Sequence, residues 1–143
     1  MAVVLLVEDD ADLRSILLQS LPYFGQFAVV GAADGIAGLE QCLEMHPDCL
    51  IIDVKMPGLD GYQLVRALRG DPQTESIPLI ILTALAQDQD RFTGLAAGAD
   101  RFLQKPIKPQ ELARIVEDVL RIDAIERAQH YAGLAQQEEH GHE

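Results

Sequence analysis

The chain has 143 residues, and its 23 acidic against 11 basic side chains give a formal net charge of −12. This length suits a single domain, and a hydrophobic content of 48% allows a core that needs no disulfide or metal staple. The acidic balance argues against a nucleic-acid or anionic-membrane surface, because both need clustered Lys and Arg. It is compatible with a basic partner, or with a carboxylate site that holds a cation.

Cys42 and Cys49 have no nearby paired histidines of a zinc pattern, so we interpret them as core residues in a reducing cytosol. The apolar run at 2–7 follows no basic segment and is too short for a signal peptide or a membrane span. We therefore expect a cytoplasmic protein that does not contact the membrane.

Short apolar runs alternate with longer amphipathic runs along the chain. In order, they predict a strand over 2–7, a helix over 11–21, a strand over 27–33, a helix over 36–45, a strand over 50–54, a helix over 61–69, a strand over 77–83, a helix over 88–97, a strand over 100–103 and a helix from Pro109. The first, third and fourth strands are apolar throughout, which is typical of a parallel sheet covered on both faces. The sequence therefore predicts an α/β fold with a doubly wound five-stranded parallel sheet.

Polar side chains stand where four of these strands end. Glu8 and Asp9 follow the first strand, Asp53 ends the third, Thr83 ends the fourth, and Lys105 follows the fifth. The carboxyl ends of parallel strands meet at one edge of a doubly wound sheet, where ligands bind, so we expect these residues to converge.

Each of these residues also has a purely structural interpretation. Asp9, Asp10 or Asp12 would suit a helix N-cap and an acidic first turn. Asp53 would be stabilised in its apolar strand by a salt bridge to Lys105, and Thr83 is a common strand residue. The set as a whole favours a functional site, since several carboxylates face a single nearby cation of the chain.

Clustered carboxylates repel one another, and a hard divalent cation such as Mg²⁺ relieves this repulsion through oxygen ligands alone. The Thr83 hydroxyl and the Lys105 ammonium group are suitable partners for phosphate oxygens. The sequence contains neither GxxxxGK[ST] nor GxGxxG after its first strand, so a phosphoryl group is favoured over a nucleotide.

Four motifs stand in register along the chain: VEDD at 7–10, DVKMPGLDG at 53–61, LTA at 82–84 and GADRFLQKP at 98–106. Over about residues 3–122 the sequence resembles the receiver domain of two-component response regulators. The resemblance implies a flavodoxin-like sheet of order 2-1-3-4-5 with five helices, the last one extended. It also implies a signalling phosphoacceptor rather than an enzyme, with chemistry limited to its own phosphorylation and dephosphorylation.

The resemblance assigns a role to each motif residue. Asp53 would accept the phosphoryl group from a sensor histidine kinase or a histidine phosphotransfer protein. Glu8, Asp9, Asp53 and the backbone carbonyl of Lys55 would hold Mg²⁺, with Glu8 binding directly or through water. Lys105 and Thr83 would contact the phosphoryl oxygens.

The resemblance also implies that Thr83 and Phe102 form a switch. In this switch the Phe102 side chain would turn inward when the Thr83 hydroxyl moves toward the phosphoryl group. Phe102 could equally be a core aromatic, and it lacks the hydroxyl of the Tyr often found at this position. The fourth helix, fifth strand and fifth helix would form the surface for a protein effector or for a homodimer. Arg101 stands where dimerising receivers of winged-helix regulators carry an acidic residue, which disfavours a dimer of that kind. Direct binding of nucleic acid is not expected.

Two other function classes compete with the receiver. A Mg²⁺-dependent phosphohydrolase is disfavoured because Lys55 stands where a second Asp would be needed. A pseudo-receiver that only docks is disfavoured because the acidic residues, the phosphoacceptor and the lysine are all present.

We divide the chain into a receiver at 1–122 and a C-terminal helical extension with a polar tail at 123–143. The extension keeps good helix formers as far as Ala135, and Gly133 weakens them before the final QQEEHGHE. It could pair with a second copy or another partner, remain solvated, or be a linker. The chain is accordingly interpreted as a stand-alone receiver or as the N-terminal part of a longer regulator.

Overall fold

The computed structural model describes residues 1–54, 60–84 and 98–141, which contain five strands and four helices. The strands are β1 (Ala2–Val7), β2 (Phe27–Ala32), β3 (Cys49–Asp53), β4 (Leu79–Thr83) and β5 (Arg101–Gln104). The helices are α1 (Ala11–Phe24), α2 (Gly35–Met45), α3 (Gly61–Arg69) and the C-terminal helix (Pro109–Gly141). The helix predicted over 88–97 lies outside the described residues.

The strands form one parallel sheet of order β2-β1-β3-β4-β5, which confirms the predicted fold class and strand order. Alternate residues along each strand face opposite layers. Leu5, Ile52 and Ile81 belong to the core that packs against α2 and α3, whereas Leu6, Ile51 and Ile80 belong to the core beneath α1 and the C-terminal helix. The central strands are therefore buried on both faces, as their uninterrupted apolar sequences indicate.

Most element boundaries differ from the sequence-based ones by one to three residues. β4 begins at Leu79 rather than at Ile77, because Pro78 has no N–H to donate to the sheet. α1 continues beyond Leu21 to Phe24 and contains Pro22. α2 ends at Met45, and its C-cap residue His46 adopts a left-handed conformation with a φ of 48°.

The C-terminal helix is 33 residues long and runs without interruption through the boundary predicted at 122–123. The helix continues past Ala135 to Gly141, through the residues predicted as a polar tail, because the Gln and Glu residues there are good helix formers. Leu112, Ala113 and Val116 bury the first turns of this helix against the sheet, while Ile125 is half exposed. Among the described residues, no helix is both long enough and apolar enough to cross a membrane.

Candidate phosphoryl and metal site

The parallel register brings the predicted site residues to one edge of the sheet. Val7 pairs with Ile52, so Glu8 and Asp53 occupy neighbouring strand ends. Asp53 pairs with Leu82, which places Thr83 next along the edge. Lys105 follows β5 and its backbone N–H donates to the Thr83 carbonyl at 2.6 Å. The predicted convergence of these four residues is therefore observed.

Lys105 contacts two carboxylates at this edge. Its Nζ lies 2.6 Å from Glu8 Oε1 and 3.4 Å from Asp53 Oδ1. The Glu8 side chain is 1% exposed, whereas 20% of the Lys105 side chain is exposed. The shorter and more deeply buried contact is thus the one with Glu8, and the structural interpretation of an Asp53–Lys105 salt bridge describes only the longer of the two.

Asp53 is a buried carboxyl group with an altered acidity. Burial, followed by the hydrogen bond and the negative charge of Glu8, raises the pKa of Asp53 to about 7, although Lys105 partly opposes this rise. Asp53 continues the alternation of Cys49 and Ile51, so it faces the layer of α1 and the C-terminal helix. The protein therefore holds this carboxyl group poised between its two protonation states near neutral pH when no metal ion is bound.

The pKa of Lys105 is also raised, but for a different reason. Burial lowers its pKa, but the hydrogen bond to Glu8 and the charges of Asp53 and Glu8 outweigh burial and raise the pKa above its ordinary value. Lys105 is therefore a permanent cation in this site.

Glu8, Asp9 and Asp53 form the cluster that suits a divalent cation. One carboxylate oxygen from each of the three lies within 4.8 Å of the others, and Asp9 is exposed to solvent. All three donors are oxygens and together they carry more negative charge than Lys105 neutralises, a donor set that fits Mg²⁺. Lys55, whose carbonyl is the fourth expected ligand, lies outside the described residues.

Two further residues that the sequence analysis did not assign to the site support it. Arg14 on α1 donates from Nη1 to the Glu8 carbonyl at 2.7 Å, which fixes the backbone that carries the first carboxylates. Gly61 donates its backbone N–H to the Val54 carbonyl at 2.9 Å, and a Cβ there would lie 2.6 Å from the Asp53 carbonyl oxygen. Neither contact is indicated by a sequence pattern, because Glu8 lies before α1 and the close approach at Gly61 is visible only in three dimensions.

Asp10 is the N-cap of α1, and its Oδ1 accepts from the backbone N–H groups of Asp12 and Leu13. The N-cap interpretation is therefore confirmed for Asp10. Asp9, one residue earlier, belongs instead to the carboxylate cluster.

Thr83 and Phe102 differ in how deeply they are buried. Thr83 is 1% exposed at the end of β4. Phe102 lies opposite Ile81 on β5 and is partly buried against the core on the α2 and α3 face. Arg101, next to it, is exposed, and its Nη1 donates to the Asp100 carbonyl at 3.1 Å.

Comparison with known families agrees with this site. The family model of the response regulator receiver domain matches residues 4–117, so the chain belongs to the response regulator receiver domain family. This is a signalling family of two-component systems rather than a family of classical enzymes.

Similar proteins include transcriptional regulators and isolated receivers. The probable transcriptional regulator ycf27 of Guillardia theta is 43% identical over 118 residues, which cover 82% of this chain and 45% of that protein. The DNA-binding dual master transcriptional regulator RpaA of Synechocystis sp. is 37% identical over 138 residues, which cover 94% of this chain and 56% of that protein. The chain thus spans about half the length of the curated relatives it matches.

Among solved structures, the receiver domain of sensor histidine kinase PA1611 from Pseudomonas aeruginosa has a magnesium ion coordinated in its active site cleft. It superimposes with a TM-score of 0.76 at 33% identity, and the match covers 83% of this chain and 97% of that one.

Proposed function

We propose that Asp53 is the phosphoacceptor of this receiver and takes its phosphoryl group from the phosphohistidine of a sensor histidine kinase or a phosphotransfer protein. The observation that carries the proposal is the position of Asp53 within the carboxylate cluster and 3.4 Å from the Lys105 ammonium group. A carboxylate oxygen of Asp53 attacks the phosphorus, the phosphorus–nitrogen bond breaks, and the imidazole leaves with its electron pair. The product is an acyl phosphate on Asp53.

The neighbouring residues neutralise and position the transferred group. Lys105 supplies a cation to the phosphoryl oxygens, and the Thr83 hydroxyl lies at the adjacent strand end to donate to them. Glu8, Asp9, Asp53 and the Lys55 carbonyl would hold Mg²⁺, which supplies charge neutralisation for the phosphoryl oxygens when bound. Phosphoryl transfer needs mainly such positioning and charge compensation.

The signal then passes from Thr83 to Phe102. A phosphoryl group adds about two negative charges and three acceptor oxygens, which attract the Thr83 hydroxyl. Phe102 is only partly buried against the core, and we expect its side chain to turn inward as Thr83 moves. The output surface comprises β5, the start of the C-terminal helix and the segment predicted as a helix over 88–97. The partner that binds this surface is a protein effector or a second copy of the chain.

Phosphoryl uptake tests the assignment of Asp53. Incubation with acetyl phosphate and Mg²⁺ is expected to add a single phosphoryl group, which intact mass spectrometry detects and hydroxylamine removes. Asp53→Asn is expected to abolish the addition, whereas Asp12→Asn, an exposed carboxylate in the first turn of α1, retains it. Uptake that persists in Asp53→Asn would refute the assignment.

A further inference from the structure

Arg14 lies close in the chain to several acidic side chains but forms an ion pair with none of them. The carboxylates nearest to it in the sequence belong to Glu8, Asp9, Asp10 and Asp12. Within the described part of the chain, no ion pair joins Arg14 to any of these four. Its Nη1 instead donates to the Glu8 backbone carbonyl at 2.7 Å. Arg14 therefore holds the backbone and leaves the carboxylate oxygens to other partners.

Asp9 depends on its two neighbours for its orientation. Its side chain is exposed, and no hydrogen bond to its carboxylate is found among the described residues. On one side, the Glu8 N–H donates to the Ala32 carbonyl at 3.1 Å while the Glu8 carbonyl accepts from Arg14. On the other side, Asp10 is the N-cap of α1. Because the peptide group between Glu8 and Asp9 is planar, the bond from Arg14 also restricts the direction in which Asp9 leaves it.

The aliphatic part of Arg14 passes close to Gly31 on β2. Gly31 pairs with Leu6 of β1, whose side chain belongs to the core beneath α1. A Cβ at Gly31 would lie 3.3 Å from Arg14 Cδ and 3.1 Å from Leu18 Cδ1. Both separations are shorter than an ordinary van der Waals contact, so a larger side chain at this position would displace Arg14. The absence of a side chain at Gly31 thus leaves room for Arg14 to reach the Glu8 carbonyl.

We infer that Gly31 and Arg14 together set the affinity of the carboxylate cluster for a divalent cation, because they fix the direction of Asp9. This inference rests on the proposed metal site of Glu8, Asp9 and Asp53. Arg14 is a positioning residue in this arrangement, since it contacts the backbone that carries the ligands rather than the cation. Removal of groups that orient metal ligands in this way commonly lowers metal affinity by about 10–100-fold.

The direction of the change in affinity separates positioning from charge. The positive charge of Arg14 repels a divalent cation bound to the nearby carboxylates, so removal of that charge alone would tighten Mg²⁺ binding. Loss of the hydrogen bond to the Glu8 carbonyl would weaken binding, because Asp9 would spend part of its time directed away from the cluster. A positioning role and a purely electrostatic role therefore predict opposite results for the same substitution.

The test is calorimetric titration of the full chain with Mg²⁺ at pH 8. Arg14→Met keeps an apolar side chain against β2, and we expect it to bind Mg²⁺ about tenfold more weakly than the unmodified chain. Arg114→Met removes the same charge from an exposed position on the C-terminal helix, and is expected to change the affinity by less than about twofold. Unchanged or tighter binding by Arg14→Met would overturn the inference.

A second variant keeps the test decisive if Arg14→Met folds poorly. Gly31→Val alters no charge and introduces a residue that suits a strand. We expect it to weaken Mg²⁺ binding severalfold in the natural background and to have no effect in the Arg14→Met background. Natural affinity in Gly31→Val, or an equal loss in both backgrounds, would contradict the inference. Failure of the unmodified chain to bind Mg²⁺ would overturn the proposed metal site itself, so the two failures are distinguishable.

Discussion

Replacing Asp53 with Asn is expected to stabilise the metal-free protein. The unfolded carboxyl group titrates near 3.8 and the folded one at about 7, because burial and Glu8 disfavour its ionised form. Between these values the folded state retains a proton that the unfolded state has lost. The free energy of unfolding therefore falls as the pH rises through this window and levels off above about pH 7.

The size of the effect follows from the same shift. A rise from 3.8 to about 7 corresponds to an upper bound of about 4 kcal/mol, at about 1.36 kcal/mol per pKa unit. Asp53 keeps 7% exposure and has Lys105 Nζ at 3.4 Å, so solvent and this cation offset part of the cost of its charge. We therefore expect Asp53→Asn to raise the free energy of unfolding by ~2 kcal/mol at pH 8 and by much less at pH 4.

Urea unfolding in EDTA at several pH values between 4 and 8.5 measures this difference. The curve of the unmodified protein should fall relative to that of Asp53→Asn as the pH rises. Glu75→Gln, which removes an exposed carboxylate, should run parallel to the unmodified protein. Parallel curves for Asp53→Asn, or a variant less stable than the unmodified protein at pH 8, would refute the argument.

Three other substitutions test the surrounding fold. Gly61→Ala places a Cβ 2.6 Å from the Asp53 carbonyl oxygen, so α3 must shift; we expect a loss of about 2 kcal/mol in urea unfolding, and unchanged stability would contradict the close approach. Arg69→Met removes donors to three carbonyl groups and a carboxylate, and should destabilise by ~3 kcal/mol, whereas exposed Arg66→Met should have little effect. His46→Gly relieves the strain of a φ of 48°, so we expect it to stabilise the protein by about 0.5–1 kcal/mol and to raise the thermal unfolding midpoint. A lowered midpoint would contradict this expectation.

The sequence was sufficient to predict the sheet and the convergence of its strand ends. Uninterrupted apolar strands alternating with amphipathic helices leave few topologies, and the resemblance supplied the strand order. Strand ends then placed Glu8, Asp53, Thr83 and Lys105 together, since their location depends on topology rather than on side-chain conformation.

Features that depend on atomic distances could not be predicted in this way. The preference of Lys105 for Glu8 over Asp53 is a difference between 2.6 and 3.4 Å, which no spacing pattern records. Arg69 is a basic residue in the last turn of α3, and only the structure shows that its guanidinium group joins α3 to Gly98, Glu75, Ile77 and Asp100. The helix continues beyond Ala135 because the helix formers that follow Gly133 outweigh the cost of that glycine.

The position of β5 at the edge of the sheet has a consequence for the order in which the site is completed during protein synthesis. β1 pairs with β3 in the middle of the sheet, whereas β5 pairs only with β4. Lys105 lies 97 residues after Glu8, so the ribosome supplies the carboxylates long before the cation that neutralises them. Until Lys105 is synthesised and β5 docks, Glu8 and Asp53 are without the ammonium group that contacts both of them in the folded protein.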